Sequence, residues 1–219
     1  MRTLVGSLLI AAAAAACGGP DTGSPGAPDA PSPSDAPSPT SLRVKWNSMP
    51  PIPGSIMNGL TVATATFHLA RLQIIGDGGS AGATTLNDFD LTWDDQSPTP
   101  REVVFDAAPL GLYSTIALGV EGEVARSSFE ISGTVKIGGV FEPYRIYDTE
   151  PLDIEIHGYE VELEPGTTKT MPVKLDIKDT MRGVEYDALP LVGGVRTLAP
   201  ADPQIGWIRN GLAAAFAHQ

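Results

Sequence analysis

Residues 127–147 have the sequence SSFEISGTVKIGGVFEPYRIY, in which two runs of strand-forming residues flank Gly138-Gly139. In each run apolar and polar residues largely alternate, which is the two-residue period of a strand with one buried face. Paired glycines supply the positive φ angles that a tight hairpin turn requires. The segment therefore predicts an antiparallel β-hairpin.

The same pattern extends along the chain in both directions from this hairpin. Further strand-like runs, separated by turn residues, lie at 42–46, 60–75, 85–93, 102–107, 113–120, 152–163 and 169–177. Eight to ten short strands at hairpin spacing, with no amphipathic helix between them, are typical of a sandwich. We predict an all-β fold, an antiparallel β-sandwich of the immunoglobulin-like or transthyretin-like type.

One of these runs changes its buried face part-way along. In residues 152–163, the apolar side chains occupy even positions up to Ile156 and odd positions from Tyr159 onward. An extra residue near His157-Gly158 would return all of them to one face. The change of phase therefore predicts a β-bulge or a sheet-switching bend at this point.

The C-terminal segment has a different period. Asp202 can cap a helix, Pro203 suits its first position, and apolar residues then recur every three or four positions, at Ile205, Ile208, Leu212 and Ala215/Phe216. We therefore predict a short amphipathic helix over 203–217 that packs on the sandwich.

The first 41 residues lack the strand pattern. Residues 1–16 combine Arg2 with an apolar stretch that is too short to span a bilayer, as in a cleaved export signal. Residues 18–41 contain seven prolines and no large apolar residue, so they cannot bury enough surface to offset their ordering entropy. We expect a signal peptide at 1–16, a Pro/Ser/Gly-rich linker at 17–41 and one domain at 42–219.

The segment Ala14-Ala15-Ala16-Cys17 resembles the lipobox of bacterial lipoproteins, in which the thiol is acylated and the signal is cut before the cysteine. The lipobox usually has leucine where this chain has Ala14. Cys17 is the only cysteine, and acylation with fatty acids such as palmitate would remove an exposed free thiol. The alternative is ordinary signal cleavage near Ala16. The resemblance implies a lipid anchor in the bilayer at Cys17, and Gly18 in place of aspartate favours the outer membrane.

Charge and motif content restrict the function. The formal net charge of −12 disfavours nucleic acid as a partner. The sequence has no phosphate-binding glycine loop, no nucleophile elbow, no His-Glu-x-x-His and no cysteine pair. Its three histidines, His68, His157 and His218, are widely separated. We therefore predict a protein that is not an enzyme and needs no cofactor, although paired carboxylates of a glycosidase remain open.

Two candidate binding sites remain. Four carboxylates near the end of one strand can offer oxygen ligands to Ca²⁺, although alternate acids on a strand usually form its solvated face: Asp88, Asp90, Asp94 and Asp95. Trp93, and likewise Trp46, can stack on the apolar face of a pyranose ring, although core packing is the commoner fate of tryptophan in a strand.

The segment Pro109-Leu110-Gly111-Leu112-Tyr113, with the strand-like runs 62–75 and 86–91 before it and 158–177 after it, resembles the DUF4382 family of envelope lipoproteins. The resemblance covers roughly residues 60–180. Pro-x-Gly-x-Tyr turns the chain into a strand in many sandwich modules and lets the tyrosine hydroxyl bond to the backbone. The resemblance implies a surface or periplasmic module with no catalytic residues to carry over.

These observations lead to two hypotheses of function. The first is a lipid-anchored, non-enzymatic module of the cell envelope that contacts an envelope protein or a glycan, or that has a structural role. The alternative is a periplasmic protein that binds a small ligand or Ca²⁺ at the acidic residues around Trp93.

Overall fold

A computed structural model describes residues 40–78, 82, 84–96, 101–123 and 126–219, without the side chain of Arg101. The predicted signal peptide, Cys17 and almost all of the linker lie outside these residues. The strands of the described range are β1 Ser41–Ser48, β2 Gly54–Met57, β3 Leu60–Gly76, β4 Thr84–Trp93, β5 Arg101–Phe105, β6 Gly111–Val120, β7 Phe129–Ile137, β8 Val140–Asp148, β9 Leu152–Ile156, β10 Val161–Leu163, β11 Thr168–Leu175, β12 Leu191–Val192, β13 Val195–Leu198 and β14 Phe216–His218.

Two short helices lie in the C-terminal part of the chain: α1 Lys178–Arg182 and α2 Ile205–Ala215. The strands form two sheets. The smaller has the order β14-β11-β1-β5, and the larger has the order β10-β6-β3-β7-β8-β13-β12, with β2 and β4 against β3 and β9 against β6. Pairing is antiparallel except for β1 with β11 and β8 with β13. The prediction of an all-β sandwich with a short C-terminal helix is confirmed.

Strand β3 organises the larger sheet because it is seventeen residues long and is paired on both edges. One edge pairs with β2 and β4, and the other pairs first with β7 and then with β6. The change from β7 to β6 occurs at His68, whose amide donates to Ser128 O over 2.8 Å and whose carbonyl accepts from Glu121 N over 3.1 Å. The loop between β6 and β7 therefore leaves the sheet beside His68.

The core lies between the two sheets and is closed by α2. Phe216 of the smaller sheet contacts Phe67 of the larger one edge-on, with ring centroids 5.1 Å apart. Trp46 packs on Phe216 at 6.4 Å and is fully buried. Edge-to-face pairs of this kind contribute stability beyond the area they bury, so these rings join the sheets at the centre of the core.

Tyrosine hydroxyls tie strands to the neighbouring backbone. Tyr113 donates to Pro109 O over 2.6 Å, which is the hydrogen bond that the Pro-x-Gly-x-Tyr pattern predicts. Tyr159, which follows β9, donates to Pro172 O of β11 over 2.8 Å and so joins the larger sheet to the smaller one. Burial raises the pKa of both hydroxyls, so they stay protonated as donors.

The predicted change of phase in 152–163 is present as a break between β9 and β10. Gly158 has φ +92°, a conformation that glycine adopts without steric cost. Both β9 and β10 pair with β6, so the chain bends within one sheet and does not switch sheets. Beyond the bend, Tyr159 and Leu163 point into the core.

The C-terminal helix begins two residues later and ends two residues earlier than 203–217. Asp202 Oδ1 accepts from Gln204 N over 2.9 Å, which caps a turn before the helix and not the helix itself. Phe216 has extended φ and ψ, and β14 pairs with β11. Pairing with an open sheet edge satisfies backbone groups that another helical turn would leave at the helix end, so the chain changes to a strand there.

Helix α2 is joined to the larger sheet by an ion pair whose carboxylate is buried. Asp148, at the end of β8, is fully buried, and both of its carboxylate oxygens accept hydrogen bonds from Arg209. The hydrogen bond with Asp148 raises the pKa of Arg209. Asp148 Oδ1 also accepts from the amides of Thr149 and Glu150. The buried Asp148 carboxylate thus accepts hydrogen bonds from one guanidinium and two amides. Removal of Arg209 would leave its charge buried without a counter-ion.

Two glycine-to-alanine substitutions should have opposite effects on stability. A Cβ at Gly133 in β7 would lie 2.0 Å from the backbone oxygen of Thr61, so Gly133→Ala forces two strands apart. We expect it to lower the free energy of unfolding by about 3 kcal/mol. A Cβ at Gly206 in α2 would have no atom within 4 Å. Gly206→Ala should therefore raise the free energy of unfolding by about 0.5 kcal/mol, because alanine has the higher helix propensity.

Thermal and denaturant unfolding of the two variants measures this difference. Equal effects of the two substitutions would contradict the close packing of β3 on β7.

Candidate functional site

A polar face is formed on the outer side of the larger sheet. Along β3, Thr64, Thr66 and His68 alternate with core residues such as Phe67. Their side chains therefore project from the face of the sheet that is opposite the core. The register places Thr66 between Thr92 of β4 and Glu130 of β7, and it places His68 beside Asp90 of β4. Directly paired residues share one face, so polar side chains from separate parts of the sequence meet here.

His68 lies at the centre of a network of charged groups. Its Nδ1 is 3.2 Å from Asp90 Oδ1, and its Nε2 is 3.5 Å from Asp88 Oδ1 and 3.4 Å from Arg126 Nη1. The side chain is only 4% exposed. Both ring nitrogens therefore face protein groups and have little contact with solvent.

Arg126 reaches this network from the loop between β6 and β7. Reciprocal backbone hydrogen bonds with Glu123, of 2.9 and 3.0 Å, fix its position. Arg126 Nη2 lies 2.5 Å from Asp90 Oδ1, and this hydrogen bond raises the pKa of the guanidinium. Arg126 therefore stays charged and is held by the same carboxylate that contacts His68.

The network forms one wall of a cleft of about 340 Å³. The cleft is lined by Thr64, Thr66, Asp90, Arg126, Ser127, Glu130 and Arg145. On the far wall, Arg145 Nη2 donates to Glu130 Oε2 over 2.7 Å, and its guanidinium carbon lies 4.5 Å from the ring centroid of Tyr147. Two arginines face two carboxylates, so the lining has no net charge and offers both donors and acceptors to a polar ligand.

Asp88 has a strained backbone beside this cleft. Its φ of +58° is the one positive value at a non-glycine position in the described residues. Its neighbours Phe89 and Asn87 pair with Leu69 and Arg71 of β3, and the register of β3 with β6 shifts between the same two β3 residues. Aspartate tolerates the left-handed region better than most residues do, and the Asp88 carboxylate lies 3.5 Å from His68 Nε2.

The structure does not bring the four predicted aspartates together as a calcium site. The carboxylates of Asp88 and Asp90 face His68 and Arg126, whereas Asp94 Oδ1 accepts from Gln96 N over 3.0 Å in a turn. Within the described ranges, no three histidine, cysteine, aspartate or glutamate side chains form a group that could hold a metal ion. The carboxylates of Asp88 and Asp90 are instead paired with the guanidinium of Arg126.

The prediction that Trp93 stacks on a sugar does not fit its environment. The side chain is only 6% exposed and packs edge-on against Phe67, with ring centroids 6.1 Å apart. Trp93 occupies an inward position of β4, so its ring belongs to the core and presents no open face. Trp46 is likewise a core residue.

Sequence reasoning missed Arg126, Glu130 and Arg145 as neighbours of Asp90. These residues come from a loop and from β7 and β8, and only the register of the sheet brings them to one cleft. A signal was present in β3, where hydrophilic Thr64, Thr66 and His68 alternate with apolar residues.

Comparison with protein-family models, with curated proteins and with solved structures finds no match to this chain. No helix in the described part of the chain is long and apolar enough to cross a membrane.

Substitutions at Asp88 should separate backbone strain from the role of its carboxylate. Both Asp88→Gly and Asp88→Val remove the carboxylate, but a β-branched residue cannot adopt φ +58° without strain. We expect the valine variant to be about 1 to 2 kcal/mol less stable than the glycine variant in denaturant unfolding.

The same pair of changes at Asp153, an exposed position of β9, is the control and should not show this order. Equal stability of the two Asp88 variants would show that the backbone there relaxes.

Proposed function

We propose that this chain is a lipid-anchored, non-enzymatic module of the cell envelope that binds a polar partner, a glycan or a protein, through the cleft on its larger sheet. The observation that carries the proposal is the lining of that cleft. Hydroxyls, guanidinium groups and carboxylates converge on about 340 Å³ of open space on a rigid sheet. Such groups provide directional hydrogen bonds, which is what recognition of a polar ligand requires.

The N-terminal sequence supports the anchor. Ala14-Ala15-Ala16-Cys17 resembles a lipobox, and the two or three acyl chains of such lipoproteins give stable attachment where one chain gives only marginal attachment. A linker of this length reaches at most about 75 Å when fully extended in polyproline II form. It would let the domain meet partners away from the membrane, and Gly18 favours the outer membrane.

The geometry of His68 supports a binding role over a catalytic one. A general base must be within hydrogen-bond reach of the proton that it removes from a substrate. His68 is 4% exposed, and its two nitrogens face Asp90 on one side and Asp88 and Arg126 on the other. In this arrangement the histidine positions Asp90 and Arg126 at the cleft.

The resemblance to the DUF4382 family also supports an envelope module. Its Pro-x-Gly-x-Tyr segment forms the expected hydrogen bond from Tyr113 to Pro109 O in this chain. The alternative, a periplasmic protein that binds Ca²⁺, has less support because Asp90 is engaged by Arg126 and Asp94 by a turn.

Cys17→Ser should release the protein from the membrane. The full chain, expressed in a bacterial host and labelled with a palmitate analogue, should carry the label and sediment with the outer membrane. The serine variant should lose the label completely, since Cys17 is the only cysteine, and should move from the membrane pellet to the soluble fraction.

Ser24→Ala in the linker is the control and should change neither result. A labelled serine variant, or an unlabelled wild-type chain, would contradict the anchor.

Loss of the Arg145–Glu130 ion pair should weaken binding at the cleft. The full chain with Cys17→Ser, which removes acyl attachment, is sedimented with isolated peptidoglycan sacculi and separately with outer-membrane fragments, and the bound fraction is measured. We expect the double variant Arg145→Ala/Glu130→Ala to lower the bound fraction several-fold, either on the sacculi or on the outer-membrane fragments. Both side chains line the cleft.

The matched control is Arg43→Ala with Glu102→Ala, an exposed ion pair of 2.8 Å on the smaller sheet. The cleft is not the binding element if the two double variants bind equally.

A further inference from the structure

Trp207 is exposed, in contrast to the other two tryptophans. It lies in α2 with 58% of its surface accessible, whereas Trp46 and Trp93 are 0% and 6% exposed. Burying an indole is among the most favourable contributions that one side chain makes to a core. The helix buries Ile205, Ile208 and Leu212 on its inner face and leaves Trp207 outside it.

The ring of Trp207 is nevertheless held in place. Its Nε1 donates to Thr180 O of α1 over 3.4 Å. It also packs directly on Gly183, where a Cβ would lie 2.3 Å from Nε1. At Gly211 of α2, a Cβ would lie 2.6 Å from Thr180 Oγ1, so the absence of a side chain allows the two helices to approach. A fixed aromatic ring loses little conformational entropy when it binds a ligand.

A groove of about 320 Å³ lies beside the ring. It is lined by Lys174, Asp176, Asp179, Thr180, Trp207, Gly211, Ala214, Ala215 and Ala217. The small residues of α2 and β14 leave space next to the indole, and charged side chains from β11 and α1 stand around it. Asp179 is 89% exposed at the side-chain level and pairs with Arg182 over 3.2 Å.

We propose that this groove binds an uncharged pyranose oligosaccharide stacked on Trp207. The apolar C–H face of a pyranose ring matches an indole face, and the sugar hydroxyls that surround that face need hydrogen-bond partners. Asp176 and Asp179 supply acceptors and Lys174 supplies a donor. This site goes beyond the proposed function, since its residues are separate from those of the cleft.

The charges at the groove favour a neutral sugar over other occupants. Asp176 and Asp179 are balanced by Lys174 and by Arg182, which pairs with Asp179. The groove therefore has no excess of positive charge to attract an acidic polysaccharide or an anionic lipid surface, and the chain as a whole carries −12. Arg209 is the only lysine or arginine in α2, whereas helices that lie on membranes are usually rich in both.

Quenching of tryptophan fluorescence by acrylamide tests the proposal on the acylated full chain in detergent micelles. The probes are cellotetraose, chitotetraose and maltotetraose at millimolar concentration. Without sugar, Trp207 should be the tryptophan that acrylamide reaches, because Trp46 and Trp93 are buried. At least one oligosaccharide should protect Trp207 from quenching by acrylamide and shift its emission maximum, and both effects should saturate with sugar concentration.

Variants locate the binding. Trp207→Ala removes the fluorescent reporter, so the affinity of this variant is measured by titration calorimetry. We expect its affinity to fall about tenfold or more, comparable to the loss when an aromatic side chain that stacks on a nucleic-acid base is removed. Asp179→Asn keeps the reporter and should weaken protection several-fold. Phe141→Ala removes another exposed aromatic ring, with 57% of its surface accessible, and should leave binding unchanged.

Four outcomes would overturn the proposal. Trp207 shielded in micelles before any sugar is added would indicate contact with the lipid phase. Failure of all three oligosaccharides to protect it would exclude a pyranose site. Undiminished affinity in Trp207→Ala would place sugar binding elsewhere, and loss of binding in Arg145→Ala alone would assign it to the cleft.

Discussion

The backbone pairing of β3 is the constraint on which the larger sheet depends. A buried strand must satisfy its amide and carbonyl groups on both edges, and over seventeen residues β3 does so with four partners. Once this pairing is made, the register of β4 and β7 is fixed. The same register brings Asp90 to His68 and Glu130 to Thr66, so the cleft is a product of the pairing.

Much of the fold was predictable because its signals are local. Alternation of apolar residues located most strands, and a change of phase located the bend at Gly158. The Pro-x-Gly-x-Tyr segment gave the hydrogen bond of Tyr113. Phe216 shows the limit of this reasoning, since its spacing suits a helix but β11 offers an open edge that only the assembled sheet provides. The parallel pairing of β1 with β11 has no local signal for the same reason.

The candidate sites were harder to predict because they depend on which side chains remain exposed. Trp93 and Trp207 are the same residue type, yet one fills an inward position of β4 and the other lies off the buried face of α2. The helical period already excluded Trp207 from the buried positions Ile205, Ile208 and Leu212. Whether a groove lies beside it depends on α1, whose packing on α2 through Gly211 and Thr180 is a tertiary contact.

The parallel pairing of β1 with β11 sets the order in which the chain can mature. Ser41 bonds to Thr168, 127 positions later, and β14 then covers β11 at the very end of the chain. Such distant pairings are slow to form because a long loop must close first. During synthesis β1 can pair with β5 on one edge as soon as residues 101–105 are made, but its other edge has no partner until β11 follows. Asp148 has no guanidinium until α2 is made. The smaller sheet is therefore complete only after all the strands of the larger sheet have been made.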